Sequence, residues 1–176
     1  MDLFGRRGYH ATTIAQIEAA AGLSAGAGGL YRHFTSKRAL LEAGLDAQAE
    51  AGRPLLAYLD GPPGGDRAAR WTAVATAGLR RLEQERDVNR LLLRDLASFP
   101  DLLERVRERE LARVHEAVTG WLRHELPDAA DHEATAAVLL AAISHYWVMS
   151  DVYGGRHPHG IDADRFVAAL VALVTG

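Results

Sequence analysis

Apolar residues recur at helical spacing along the whole chain. Ile14 and Ile17 share one face with Ala21 a turn further on, and Leu40, Leu41 and Leu45 repeat the pattern. Leu103, Val106, Leu111, Val114, Val118, Trp121 and Leu122 make a stripe that leaves the opposite face to Arg105, Arg109 and Arg113. No segment alternates with the period of two that a half-buried strand needs, and no internal repeat appears. The pattern predicts an all-α chain with helices over 2–7, 13–21, 37–53, 66–86, 88–99, 101–125, 132–153 and 162–175. Gly52-Arg53-Pro54, the Asp-Gly-Pro-Pro-Gly-Gly run at 60–65, Pro100, Pro127 and the GGRHPHG loop at 154–160 punctuate them. The functional boundary is placed near residue 53, giving parts 1–53 and 54–176.

The last two helices differ from the rest. Residues 136–149 and 166–174 are apolar nearly all round, with alanines that allow close approach of helix backbones. Helices apolar on every side are buried on every side. In a chain this small that calls for a second copy, so a homodimer through 132–153 and 162–175 is expected, two helices from each copy forming a four-helix bundle.

At the other end, Thr13-x-x-Gln16 reads as a capping box opening a helix, and Gly22 as the left-handed residue that stops it. Leu23 would plug the corner and Ser24 would cap the next helix. Two helices joined by a glycine turn form the geometry that lays a second helix in a DNA major groove.

Composition bounds the function without naming it. An apolar content of 48% with 7% aromatic residues supports a packed core. With no cysteine there is neither a disulfide framework nor a thiolate metal site, which fits a reducing cytoplasm. MDLFGRRGYH lacks the apolar stretch of a secretion signal, and no run approaches a membrane span, so a cytoplasmic protein without membrane attachment is expected. The net charge is −3, yet residues 1–53 hold six cations against five anions. The single lysine of the chain, Lys37, lies in that part, and the sign of the asymmetry suits a nucleic-acid partner.

TTIAQIEAAAGLS followed by LYRHF-x-SK, with Gly22, Leu23, Ser24, Leu30, Tyr31, His33, Phe34, Ser36 and Lys37 in order, resembles the N-terminal module of TetR-type transcriptional regulators. The resemblance implies a three-helix module with a helix-turn-helix, followed by a helical ligand-binding and dimerisation domain. It implies a homodimeric repressor on a near-palindromic double-stranded DNA operator, released by a small-molecule effector and needing no cofactor. Thr13, Tyr31, Arg32, His33 and Lys37 would then grip phosphates, and Ser24, Ala25, Gly26 and Gly28 would face bases. Two departures stand out. Glu18 occupies the family's small-residue position four places before the turn glycine, so the helix crossing widens or the carboxylate turns to solvent. Ser24 to Tyr31 is seven residues where the family has five, and three glycines within 26–29 make for a loose reading helix.

Other chemistries compete less well. Gly22-Leu23-Ser24-Ala25-Gly26 matches the G-x-S-x-G nucleophile elbow of hydrolases, but the elbow needs a strand before its serine. The glycine run is not a phosphate loop, because no GK[ST] follows. His157 and His159 lack an evident third metal ligand, and His132-Glu133 has Ala136 where a zinc protease has its second histidine, so no metal is expected. Trp71, His115, Trp121, His145 and Met149 are candidates for an apolar effector pocket with a few polar groups. The alternative to a regulator is a helical ligand-binding protein that has lost DNA binding. Finally, a first helix of only 2–7 is short, with Leu3 and Phe4 alone to cover the hairpin. The expectation is that it frays, and that either upstream residues are missing or the hairpin is mobile.

Overall fold

A computed structural model describes residues 1–61, 64–152 and 154–175. Pro62 and Pro63 of the expected break, Tyr153 of the expected 132–153 helix, and Gly176 lie outside the described residues. Among those described, every regular element is a helix or a helical turn, as the apolar periodicity predicts. They form two compact units, one joining Met1–Ala51 to Glu85–Glu110 and the other joining Gly52–Gln84 to the chain from Leu111 onward.

In the first unit, α1 (Asp2–Arg7) has an acid in its first turn and bases in its last, matching the helix dipole, and stops at Gly8 with φ 90°. It packs on α6 (Arg86–Asp95) so closely that a Cβ on Gly5 would fall inside the atoms of Asp87. Arg94 donates to the Phe4 and Gly5 carbonyls at 2.8 and 3.1 Å, adding to the Gly8 amide already on Phe4 at 2.9 Å. Asp95 accepts from the Tyr9 amide at 3.3 Å. The Tyr9 ring stands edge-on to Phe99 at 4.8 Å and beside Phe4 at 5.5 Å. The short first helix is therefore anchored by residues some 86 to 90 positions away, and not by Leu3 and Phe4 alone.

Next come α2 (Ile14–Ala20) and α3 (Lys37–Ala51), the latter capped by the Ser36 hydroxyl, which accepts from the Ala39 amide at 3.0 Å. Leu41 of α3 is fully buried with Leu91, Leu96 and Leu102. The unit closes with α7 (Pro100–Val106), whose proline sits in the first turn where no amide is needed. A π-helical turn over Arg107–Leu111 then interrupts what the sequence presents as one helix over 101–125.

The second unit begins with a helix not expected from the punctuation of the chain, α4 (Arg53–Asp60). Its proline lies in the first turn, so Gly52-Arg53-Pro54 starts a helix as well as ending one. With it pack α5 (Arg67–Gln84), α8 (Ala112–Glu125), α9 (His132–Val152) and α10 (Ala163–Thr175). Asp66, Asp131 and Asp162 each accept from the amide three residues on, at 2.8 to 2.9 Å, capping α5, α9 and α10. Helix α9 lies on α8 and α5, α10 on α5, and α4 on α8. Their core holds Trp71 and Trp121 edge-on at 4.6 Å, with Leu122, Ala136, Ile143 and Leu170. Arg70 of α5 grips Glu125 of α8 with two hydrogen bonds of 2.6 and 2.9 Å.

Within one chain, α9 and α10 are buried on one side only. Ala136, Leu139, Ile143 and Trp147 face the core, whereas Val138 is 69% exposed and Leu173 84%. Ala137, Ala141, Ala168, Ala169 and Ala172 are exposed as well.

Candidate nucleic-acid interface

Helix α2 opens on the expected capping box. The Thr13 hydroxyl accepts from the Gln16 amide at 3.3 Å, and the Gln16 side chain accepts from the Thr13 amide at 2.9 Å. It closes on Gly22, φ 73°, with the Gly22 amide on the Ala19 carbonyl at 3.1 Å and the Leu23 amide on the Glu18 carbonyl at 2.8 Å. That pair of bonds is a Schellman motif, which is why a glycine is needed there. Leu23, expected to plug the corner, is 43% exposed, whereas Leu30 is buried at 8%.

The expected second helix from Ser24 does not form. Residues 24–29 are turns, followed by one 3-10 turn over Leu30–Arg32. Gly26 and Gly28 have φ of 77° and 71°, opposite in sign to a right-handed helix. Amide bonds from Ala27 to Ser24, Tyr31 to Gly28 and Arg32 to Gly29 each span three residues, the spacing of tight turns. The two residues added relative to the family spacing are accommodated by this departure from helix.

Glu18 organises the loop, contrary to the expectation from its position. It neither widens a crossing nor turns to solvent: it is 0% exposed, and its carboxylate accepts from the Gly26 amide at 2.7 Å and the Leu30 amide at 3.1 Å. A buried carboxylate requires such donors. The clue available in the sequence was an acid where a small residue is usual, beside a run of glycines whose backbone a carboxylate can approach.

Lys37 is drawn inward. Its ammonium donates to the Tyr9 and Thr12 carbonyls at 2.8 and 2.9 Å and sits 4.2 Å from the centre of the Tyr9 ring, bracing the α1–α2 connection. Burial, opposed in part by the Arg38 charge, raises the pKa of the Tyr9 phenol. Arg38 is bonded to Glu42 at 2.9 Å and to Asp101. Tyr31, Arg32 and His33 are exposed together on the 3-10 turn and the residue after it. Thr13, Ser24, Ala25 and Gly26 are exposed on the same module, and Gly28 is half-buried. The surface thus presents one guanidinium, one phenol, one imidazole and a hydroxyl-bearing glycine loop, groups suited to phosphate oxygens more than to bidentate base pairing.

The residues named for an effector pocket are dispersed. Trp71 and Trp121 are core, His145 is exposed, Met149 is half-buried, and the His115 ring bonds the Glu133 carbonyl at 3.0 Å. A cleft of about 530 Å³ lies elsewhere in the second unit, against Leu79, Glu83, Tyr146, Trp147, Arg156 and His157. His157 stacks on Tyr146 there, and His159 donates its amide to the His157 ring. Among the described residues no group of three or more His, Cys, Asp or Glu is placed to hold a metal ion, and no helix is long and apolar enough to cross a membrane. Ser24 follows a turn after α2 and not a strand, so the hydrolase elbow is not built.

Residues 1–43 match the family model described as bacterial regulatory proteins, tetR family. The fold is similar to that of a candidate fatty acid metabolism regulator of Clostridium perfringens, with TM-score 0.71 and 12% identity over 98% of this chain and 91% of that one. It is also similar to a TetR/AcrR-family transcriptional regulator of Thermobifida fusca, with TM-score 0.63 and 24% identity over 98% and 90%. A TetR-family transcriptional regulator of Pectobacterium atrosepticum aligns with TM-score 0.57 and 23% identity over 98% and 84%. No match was found among curated protein sequences.

Proposed function

We propose that this chain, whose N-terminal module and helical fold are of the TetR type, is a homodimeric repressor that binds a near-palindromic operator in the cytoplasm and is released by a small-molecule effector. The observation that carries the DNA-binding part is the family match over residues 1–43, on a module that exposes Tyr31, Arg32 and His33 side by side. Residues 1–53 would serve DNA and 54–176 would serve the effector and the partner subunit. Thr13, Tyr31, Arg32 and His33 would meet phosphates, with Ser24, Ala25, Gly26 and Gly28 towards the bases. Support for the dimer comes from the exposed apolar faces of α9 and α10, which include Val138, Ala141, Ala172 and Leu173. Support for an effector comes from the aromatic-walled cleft on α5 and α9.

The test is fluorescence anisotropy on a duplex carrying the DNA upstream of the protein's own gene, with the mass of the complex from light scattering. Saturable binding that outcompetes bulk genomic DNA, with two chains per duplex, is expected. Failure to bind any duplex supports the second reading, a helical ligand-binding protein without DNA binding, which the absence of a second helix after Ser24 favours.

A further inference from the structure

The Leu30 amide occupies a choice point. In an α-helix begun at Ser24 it would donate to the Gly26 carbonyl, four residues back. Here it donates to the Glu18 carboxylate, and an N–H directed at one cannot serve the other. The Gly26 amide, which lies in the first turn of such a helix and has no partner within it, is also on Glu18. One carboxylate, 0% exposed, therefore holds both ends of the segment, and Gly26 and Gly28 supply the positive φ angles the turns need.

We propose that Glu18 is a positioning residue: it latches 24–30 in the turn conformation, and tight DNA reading requires the Leu30 amide to pass from Glu18 to the Gly26 carbonyl as the segment becomes helical. The proposal rests on the DNA-binding function proposed above. On the carboxylate the exchange is confined to one bond, while the three-residue bonds of the Tyr31 and Arg32 amides pass to carbonyls four residues back. The Gly26 amide can stay on the carboxylate in both states, so Glu18 changes from a latch on the turns to an acid at the N-terminus of the reading helix. Arg32, now on a 3-10 turn, and His33 just after it would then rotate onto the surface of a helix that fits a major groove.

Two variants favour the helical state by different routes. Glu18→Ala removes the latch. Gly26→Ala with Gly28→Ala leaves Glu18 in place and penalises the positive φ angles instead. A Cβ at Gly26 meets no atom within 4 Å, and at Gly28 only a Tyr31 ring carbon at 3.9 Å, so the penalty is one of backbone conformation. Left-handed strain and helix propensity together shift the equilibrium by on the order of tenfold or more per site. Glu18→Gln keeps one carbonyl oxygen but turns its NH2 group on the other amide, so it should weaken the latch and fall between the parent and Glu18→Ala.

The readouts are backbone carbon chemical shifts over 24–33 and anisotropy on the upstream duplex. Expected are helical shifts in the glycine variant and in Glu18→Ala, with affinity at least tenfold above the parent in the glycine variant. A glutamate that only stabilises the fold would instead give variants that lose stability and binding together. Turn-like shifts in a folded Glu18→Ala variant, which has no carboxylate to hold the turns, overturn the latch, as does a helical glycine variant that binds no more tightly than a parent that binds. Helical shifts with no binding by any form, parent included, leave the latch standing and overturn the DNA-binding function.

Discussion

Replacing Lys37 with methionine separates two roles that the same cation can play. In the structure the ammonium holds the Tyr9 and Thr12 carbonyls at 2.8 and 2.9 Å and lies over the Tyr9 ring. A hydrogen bond involving a charged group contributes about 1.5–3 kcal/mol when well enclosed. Lys37 is half-buried, so the two bonds and the ring contact are discounted to roughly 2–3 kcal/mol in total. Methionine keeps the stem, so lost packing adds little. The expected consequence is a melting temperature lower by roughly 5–10 °C. Operator affinity should fall too, but its salt dependence should be unchanged, because a lysine facing inward neutralises no phosphate. Arg32→Ala supplies the contrast: an exposed cation of the proposed interface should leave stability within about 0.5 kcal/mol and flatten the slope of log affinity against log salt by about 2 for a dimer. The assays are thermal unfolding and anisotropy across a salt series. A Lys37→Met protein of parental stability whose salt slope drops by about 2 would refute the inward brace and make Lys37 a phosphate contact.

Three further outcomes follow from the packing. Gly5→Ala pushes a methyl into Asp87, so α1 must lift off α6 at a cost of about 1–3 kcal/mol, visible as a lower urea midpoint; an unchanged midpoint would mean the two backbones are not in contact. The pKa of Asp87 is raised, by burial first and then by its hydrogen bond and like charge with Asp2. The stabilisation that comes with its protonated form is therefore present below the ordinary value of about 3.9 and is lost as pH climbs through the raised one. Asp87→Asn should accordingly gain stability relative to the parent on going from pH 3 to neutral, and a difference that stays flat with pH would be incompatible with the raised value. Ala141→Arg places a charge on the exposed apolar face of α9 without touching the chain's own core. If that face is the dimer seam, association should weaken by several kcal/mol and light scattering should report single chains that no longer span half-sites about 34 Å apart; a dimeric variant would move the seam elsewhere.

The parts of this chain legible in its sequence are those whose causes lie within one turn of helix. Thr13 and Gln16 cap α2, Gly22 closes it and Ser36 starts α3, because each interaction spans three to five residues and depends only on local geometry. The helical class followed from apolar periodicity for the same reason. The reading helix failed because propensity and family spacing say how willing Gly26 and Gly28 are to be helical, but not that a carboxylate on α2 would offer their loop a different set of partners. Helix α4 was hidden because Pro54 both ends and starts helices, and only packing against α8 selects the second role.

Tertiary structure decided what the charged side chains do. Lys37 reads as a phosphate contact until the Tyr9 and Thr12 carbonyls are brought to its ammonium from 28 and 25 residues away. Arg94 and Asp95 have no assigned role in the sequence; in the fold they close over the end of α1, within the unit that joins 85–110 to 1–51. The reason is common to all of them. A long side chain at a partly apolar surface goes wherever unsatisfied backbone carbonyls or amides are exposed, and those sites exist only after distant helix ends and loops have been assembled.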